Sequence, residues 1–162
     1  CVIAEELGRA IAPVPVSSSI YLVAEFLLSA GSQKQKEAWL PKLASGEAIG
    51  AYASSEGQGR TTPASIAAKV EGGKLSGTKF PVVDGDVADV AVVTARDEKG
   101  GVSLFLVNLS GPGVRRETLE TIDPTRGQAR ITFNGAPAEL LGTSGDGWHI
   151  ASQVIDRAAI LM

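Results

Sequence analysis

The sequence predicts an α+β fold, with a helical N-terminal part, a central β-domain of the antiparallel barrel or sandwich type, and a C-terminal helix. Apolar residues recur at helical spacing over the first fifty residues, and helical spacing returns after residue 146. Between these regions, short β-rich runs alternate with glycine turns and show no long helical period. Many short strands at such spacing are typical of an antiparallel barrel or sandwich.

Two N-terminal helices are predicted from apolar spacing and capping residues. The first, over 17–30, rests on five apolar residues at helical spacing: Ile20, Val23, Ala24, Leu27 and Leu28. Ser32 and Gln35 form an S-x-x-Q capping box at the start of the second, over 33–45, which Gly46 ends.

The middle region is predicted to hold seven strands, because each run is bounded by glycine, proline, asparagine or aspartate turns. The predicted strands are Ala48–Ser54, Ser65–Val70, Lys74–Val83, Val87–Ala95, Val102–Val107, Val114–Thr118 and Ala129–Asn134.

A last helix is predicted over 146–162, with one apolar face formed by Trp148, Ala151, Ile155, Ala158 and Met162. The chain opens without an initiator Met and closes inside an apolar run without a helix stop signal. We therefore expect a piece of a longer chain. The alternative is a compact domain with frayed ends.

Composition excludes several classes of function. The chain has 162 residues and a net charge of −3, which argues against non-specific nucleic-acid binding. Its apolar runs are far shorter than the roughly 20 residues that a membrane-spanning helix needs. One cysteine, Cys1, and one histidine, His149, exclude a His/Cys metal cage, and the single cysteine fits a reducing compartment. We predict no metal site and a cytoplasmic location.

The best candidate for ligand chemistry is the segment from Tyr52 to Thr62, which follows a predicted strand. It is rich in hydroxyls and glycines, so its backbone N–H groups could approach a phosphate while Ser, Thr and Arg side chains donate hydrogen bonds. The pair Gly57 and Gly59 is not a Rossmann fingerprint, because Pro63 and a β-like run follow it instead of a helix. On the residues alone, a flexible polar connection is at least as good an explanation.

Three segments, in order, resemble the acyl-CoA dehydrogenase family. The run from Leu28 to Glu47 is similar to that family's "G-s-x-x-Q-K-x-x-w/y-L-P-k-l-a-s-G-e" segment, and Gly50 to Glu56 resembles "G-x-x-a-x-T-E-P". Leu75–Lys79 with Ala88–Arg96 resembles "l-n-G-x-K-x-w-i-t-n … A-d-x-x-v-v-x-A-r". The resemblance covers nearly the whole chain.

This resemblance implies three structural parts: the end of an N-terminal helical domain (1–47), a middle β-domain (48–143) and the first helix of a C-terminal helical domain (144–162). It also implies an FAD-dependent oxidoreductase of fatty-acid and lipid metabolism. Such an enzyme catalyses α,β-dehydrogenation of an acyl-CoA thioester with hydride transfer to flavin N5.

The resemblance implies further partners and limits. Electron-transfer flavoprotein is the usual reoxidant, and a homo- or hetero-oligomer, dimer or tetramer, is expected. No catalytic residue is expected in this chain, since the family's carboxylate base would lie beyond Met162. The chain alone is therefore predicted to be inactive. An acyl-CoA oxidase is a lesser variant.

The family's cofactor-binding positions are carried over by residue. Ser55 stands where the family has a Thr that bonds the flavin ring, and Tyr52, Ala53 and Ser54 precede it on the flavin-facing strand. Thr61, or Thr62 if the alignment slips by one residue, stands where a Ser binds the FAD pyrophosphate and lies near the acyl-CoA, so Thr61 is also the substrate-binding candidate.

Two of the carried-over positions depart from the family pattern. Pro81 replaces a Trp that packs on the flavin, and Val83 replaces a Thr that bonds it near N5. Pro offers less stacking area than Trp, and Val cannot donate a side-chain hydrogen bond. An alternative function is therefore a non-catalytic or flavin-poor partner subunit of a hetero-oligomeric complex.

Overall fold

The computed structural model describes residues 2–123 and 125–161, so the predictions for Cys1 and Met162 lie outside the described residues. The helical elements in these ranges are α1 (Val2–Arg9), a π-helix (Ser17–Ala24), α2 (Glu25–Ala30), α3 (Gln33–Ser45), a 3-10 turn (Pro63–Ser65) and α4 (Gly147–Ala159).

The predicted N-terminal helices are confirmed. The π-helix passes into α2 through helical backbone at Ala24 and Glu25, so one continuous helical segment covers the predicted range. At the start of α3, both hydrogen bonds of the Ser32/Gln35 capping box are formed. Gly46 ends α3 in the left-handed conformation, with φ of 77°, which glycine adopts without steric cost.

Eight strands form one sheet. They are β1 (Gly50–Ala53), β2 (Lys69–Glu71), β3 (Lys74–Val83), β4 (Val90–Arg96), β5 (Val102–Asn108), β6 (Val114–Thr118), β7 (Gln128–Pro137) and β8 (Glu139–Leu141). Their order is β6-β7-β3-β2-β4-β5-β8, and β1 pairs with β4. Each of the seven predicted strands overlaps an observed one, and β8 is the strand that was not predicted.

The predicted α+β fold with a mostly antiparallel β-domain is confirmed, but the sheet of the described residues is not a closed barrel and it includes parallel pairings. In the described part of the chain, β6 and β8 each pair with one neighbour and leave the sheet open. The strand β1 runs parallel to β4, with Gly50 opposite Val90, and β2 meets β4 in parallel at Lys69 and Arg96. Parallel neighbours need a long connection, and the chain between β1 and β4 supplies it by forming β2 and β3.

Two apolar cores lie on the two faces of the sheet, because side chains alternate along each strand. On β4, Val90 and Val92 are fully buried against the helices, beside Phe26 of α2. Between them, Ala91 and Val93 are fully buried in the inner core on the other face.

The last helix is confirmed, but its buried face is rotated from the predicted one. Ala151, Val154 and Ala158 are buried, whereas Ile155 is 41% exposed. Both faces have helical spacing, so the sequence alone did not distinguish which one packs on the sheet.

Candidate functional site

The candidate loop, residues 54–66, begins where β1 ends and lies against β3. The strand β1 is held by its register with β4, in which Tyr52 is opposite Val92. Directly after it, the Ser55 carbonyl accepts a hydrogen bond from the Phe80 backbone N–H at 2.8 Å, and Glu56 forms an isolated bridge with Phe80. The loop therefore starts in contact with the middle of β3.

A buried ion pair holds the first part of the candidate loop. The Lys79 side chain has no exposed surface, and its ammonium donates to Glu56 Oε1 at 2.7 Å and to the Ser54 carbonyl at 3.1 Å. The Glu56 carboxylate also accepts hydrogen bonds from the N–H groups of Ala67 at 2.7 Å and Ala68 at 3.0 Å. One carboxylate thus ties the two ends of the loop to β3.

The environment favours the charged form of Glu56. Burial raises the pKa of the Glu56 carboxyl, but hydrogen bonds from Lys79, Ala68 and Ala67 outweigh burial, so this pKa lies below its ordinary value. Burial lowers the pKa of the Lys79 ammonium, and the Glu56 carboxylate opposes that shift. A buried ammonium needs such a partner, since an unpaired charge in the interior is costly.

The far end of the candidate loop is fixed by Arg96 at the end of β4. Its guanidinium donates to the Ile66 carbonyl at 2.9 Å and to the Pro63 carbonyl at 3.0 Å. Thr62 caps the 3-10 turn, because its hydroxyl accepts from the Ser65 N–H while the Ser65 hydroxyl accepts from the Thr62 N–H.

Between these anchors the candidate loop is open. A cavity of about 240 Å³ is lined by Ser55, Glu56, Gly57, Gln58, Gly59, Arg60, Thr61 and Ser65. Gly57 and Gly59 have φ of 151° and 106°, and a Cβ built at either meets no atom within 4 Å. The Ser55 hydroxyl donates to the Gly57 carbonyl at 3.2 Å, and residues 58–61 have no hydrogen bond to the rest of the described chain.

The structure brings only some of the predicted residues to this cavity. Ser55 and Thr61 line it, whereas half-buried Ser54 does not, and its carbonyl accepts from the Lys79 ammonium. The Ala53 side chain is fully buried in the inner core, so only its backbone could serve a ligand.

Tyr52 faces the helices and not the candidate loop. Its ring centroid is 4.9 Å from that of Phe26, and its hydroxyl is 3.1 Å from Thr94 Oγ1. Burial raises the pKa of the Tyr52 phenol, although hydrogen bonds with Thr94 and Ser54 partly oppose this. These contacts give the side chain a packing role.

Pro81 and Val83 form an exposed apolar edge on β3 beside the candidate loop. Pro81 follows Phe80 directly, and Val83, 39% exposed, is three residues beyond Phe80 and so within about 10 Å of it along the strand. Asp84, the next residue, is buried and is held by the Ser18 hydroxyl and by Arg126, whose guanidinium is 2.8 Å away. The end of β3 is thereby fixed to the π-helix.

Sequence reasoning missed the residues that fix the candidate loop, namely Lys79, Glu56 and Arg96. A signal for Lys79 was present. It shares the inward parity of buried Leu75 on β3, and a lysine at an inward position requires an acidic partner. No comparable pattern identified Arg96, because its partners are backbone carbonyls.

The hydrogen-bond donors of the candidate loop are better suited to a phosphate-bearing group than to an aromatic ring system. An open glycine backbone, the Thr61 hydroxyl and the exposed Arg60 suit a diphosphate. Pro81 and Val83 offer apolar contact to a ring system but no side-chain hydrogen bond. These groups are chemically suited to a dinucleotide such as FAD.

Within 2–123 and 125–161, no group of three or more His, Cys, Asp or Glu side chains is arranged to hold a metal ion. No helix in the same ranges is long and apolar enough to cross a membrane.

Comparison with known proteins identifies the family. Residues 1–47 match the model of the acyl-CoA dehydrogenase N-terminal domain. The chain is 35% identical to the human mitochondrial short-chain specific acyl-CoA dehydrogenase over 173 residues, covering 96% of this chain and 42% of that protein. The chain thus spans less than half the length of this relative.

Solved structures show the same fold. A glutaryl-coenzyme A dehydrogenase in complex with glutaryl-CoA has a TM-score of 0.89, with 23% identity, over 99% of this chain and 44% of its own. Glutaryl-CoA dehydrogenase from Mycobacterium smegmatis, in complex with FADH2, has a TM-score of 0.80 with 27% identity, over 90% of this chain and 40% of its own. With the order of helices and strands and the sequence similarity, these findings establish that the chain belongs to the acyl-CoA dehydrogenase family.

Proposed function

We propose that this chain is the N-terminal and middle part of an FAD-dependent acyl-CoA dehydrogenase. The observation that carries the proposal is the contact between the candidate loop and β3, where the Ser55 carbonyl bonds the Phe80 N–H at 2.8 Å. We infer from this contact that the open span at Thr61 and the apolar edge at Pro81 and Val83 lie on one side of the β-domain, as a single dinucleotide requires.

In this proposal the chain's residues bind and orient the cofactor. The Thr61 hydroxyl, the Arg60 guanidinium and the loop amides would hold the diphosphate, with Thr61 also near the acyl-CoA. Ser55, Pro81 and Val83 would adjoin the ring. When bound, FAD supplies a two-electron acceptor for α,β-dehydrogenation of an acyl-CoA thioester.

The remaining parts of the proposal follow from the family. We infer the division into an N-terminal helical part (1–47), a β-domain (48–143) and the first C-terminal helix (144–162). We place the catalytic carboxylate beyond Met162, electron-transfer flavoprotein as the reoxidant, and a dimer or tetramer as the assembly. The chain alone is expected to be inactive, and a cytoplasmic location stays a prediction.

A second candidate function is a flavin-poor partner subunit of a hetero-oligomeric dehydrogenase. It is favoured by one observation, the absence of side-chain donors at Pro81 and Val83 on the β3 edge. In that case the partner subunit would hold the flavin, and the purified full-length homomeric protein would be colourless.

The experiment that tests the proposal is FAD binding by the full-length protein and two variants. Ser55→Ala should weaken FAD binding by the worth of one net hydrogen bond, about 0.5–1.5 kcal/mol. Thr61→Phe should cost more, because it crowds the diphosphate. Unchanged affinity in both variants would contradict the proposed site, and no binding by the wild type would favour the second candidate.

A further inference from the structure

We infer that the Glu56–Lys79 pair is a positioning element that sets where the open span of the candidate loop, residues 57–61, meets the diphosphate of the bound dinucleotide. This inference rests on the proposed function and deepens it. In this role Glu56 and Lys79 act through the backbone of the loop and not through contact with the ligand.

The open span depends on its anchors for its position. Gly57 accepts a hydrogen bond from the neighbouring Ser55 hydroxyl, and residues 58–61 have no hydrogen bond to the sheet within the described chain. Two glycines within the span, Gly57 and Gly59, add backbone freedom. The position of such a span therefore depends on how firmly its two ends are held.

Glu56 joins those two ends. Its carboxylate accepts from the Ala67 and Ala68 amides at 2.7 and 3.0 Å on the C-terminal side of the loop, while Glu56 itself lies on the N-terminal side. Lys79 adds the Ser54 carbonyl at 3.1 Å to the same cluster. The pair therefore closes the base of the loop with four hydrogen bonds around one partly buried carboxylate and one buried ammonium.

Lys79 also links the loop to β3, the strand that carries the apolar edge at Pro81 and Val83. It lies on β3, opposite Ile131 of β7, two residues before Pro81 and four before Val83. The candidate loop and the apolar edge at Pro81 and Val83 are thus both held by β3, which is paired with β7. If the loop moved away from Lys79, the distance between the loop and this edge would change. Binding would then weaken only for a ligand that contacts both the loop and the edge.

The test compares three variants of the full-length protein without flavin. Lys79→Met removes the ammonium and leaves Glu56 bonded to two amides. Glu56→Asp keeps the charge but is one methylene shorter, so it cannot reach Lys79 and both amides together; it serves if Lys79→Met does not fold. Leu141→Ala is the matched control, because Leu141 is fully buried in β8, with β5 and β4 between it and β1.

Two readouts separate positioning from general stability. Amide hydrogen exchange at residues 57–61 should accelerate in Lys79→Met and Glu56→Asp and stay unchanged in Leu141→Ala. The dissociation constant for FAD should rise about tenfold in the first two variants. That for riboflavin, which lacks the diphosphate, should change less than about twofold.

The inference is overturned if folded Lys79→Met and Glu56→Asp keep wild-type loop exchange and FAD affinity, or if Leu141→Ala changes both as much. Failure of the proposed function gives a different result. The wild type would then bind neither FAD nor riboflavin, while loop exchange would still accelerate in Lys79→Met. That result would support the role of the pair in positioning the loop and would contradict FAD as the ligand of the loop.

Discussion

The Lys79 ammonium lies 2.7 Å from a carboxylate oxygen of Glu56 inside the sheet, although the two residues are 23 positions apart in the chain. The contact joins the candidate loop to β3, which also carries Pro81 and Val83. The inner core is built from alanine, valine, leucine, isoleucine and phenylalanine, so apolar burial there does not need this pair. Because the pair lies beside the open span of the loop, its removal is expected to change ligand binding there.

The first prediction concerns the stability of this pair. Glu56→Gln leaves the Lys79 ammonium buried without its counter-charge and should lower the free energy of unfolding by about 3–5 kcal/mol. The double variant Glu56→Gln/Lys79→Met removes both charges and should recover most of that loss. Urea unfolding of the full-length protein measures both; a loss under about 1 kcal/mol in the single variant would contradict a buried, paired Lys79.

The second prediction concerns Arg60, which is exposed at the cavity of the candidate loop. If it contacts a diphosphate, Arg60→Ala should weaken FAD binding by about 1 kcal/mol, roughly fivefold, and reduce the dependence of the affinity on salt. Lys34→Ala, at an exposed position on α3, is the matched control and should change neither. If Arg60→Ala and Lys34→Ala weakened FAD binding equally, the loss would be due to the change in net charge and not to a contact made by Arg60.

The third prediction restores a donor on the β3 edge. Val83 is 39% exposed, so Val83→Thr should fold normally. The new hydroxyl should strengthen FAD binding by about 0.5–1.5 kcal/mol if the ring lies beside it. Val87→Thr, at a position 53% exposed, is the control. Equilibrium titration with FAD measures the gain, and an unchanged or lower affinity in Val83→Thr would place the ring elsewhere.

The fourth prediction is a pH dependence at Asp97, which joins the β4–β5 turn to the segment before α4. Hydrogen bonds from the Ser144 and Ser103 hydroxyls, with the Gly101 and Lys99 amides, lower the pKa of Asp97 to about 2. A lowered pKa means that the carboxylate stabilises the fold above its ordinary pKa and that this stabilisation is lost as the pH falls towards about 2.

Asp97→Asn should therefore lower stability at neutral pH, by about 1 kcal/mol after allowance for solvent screening, and flatten the stability curve between about pH 4 and pH 2. Chemical unfolding at several pH values compares the variant with the wild type. Parallel curves for the two proteins over that range would show that Asp97 is not the group responsible.

Much of the fold could be predicted because local signals agreed with the packing. The Ser32/Gln35 capping box, the Gly46 stop and the glycine turns each act within a few residues, and they give the bounds of α3 and the position of most strands. The parallel pairing of β1 and β4 could not be predicted in this way. It depends on contacts between distant segments, which the alternation along either strand does not specify.

The candidate site was predictable to a lesser extent. Hydroxyls and glycines in sequence identified the loop that carries Ser55 and Thr61, since a loop is a local feature. They did not reveal that Tyr52 points to the helices or that the Ala53 side chain is in the inner core, because β1 is short and its two faces are both buried. The inward position of Lys79 indicated a buried partner without identifying it, whereas Arg96 bonds distant backbone carbonyls and becomes visible only in the fold.

The most direct test of the central claim is amide hydrogen exchange of the full-length protein with and without saturating FAD. FAD is expected to protect residues 55–62 of the candidate loop and residues 80–83 of β3 together, while exchange in β8 is unchanged. Bound FAD that protects neither segment, or only one of them, would contradict the claim that the loop and β3 hold one dinucleotide between them.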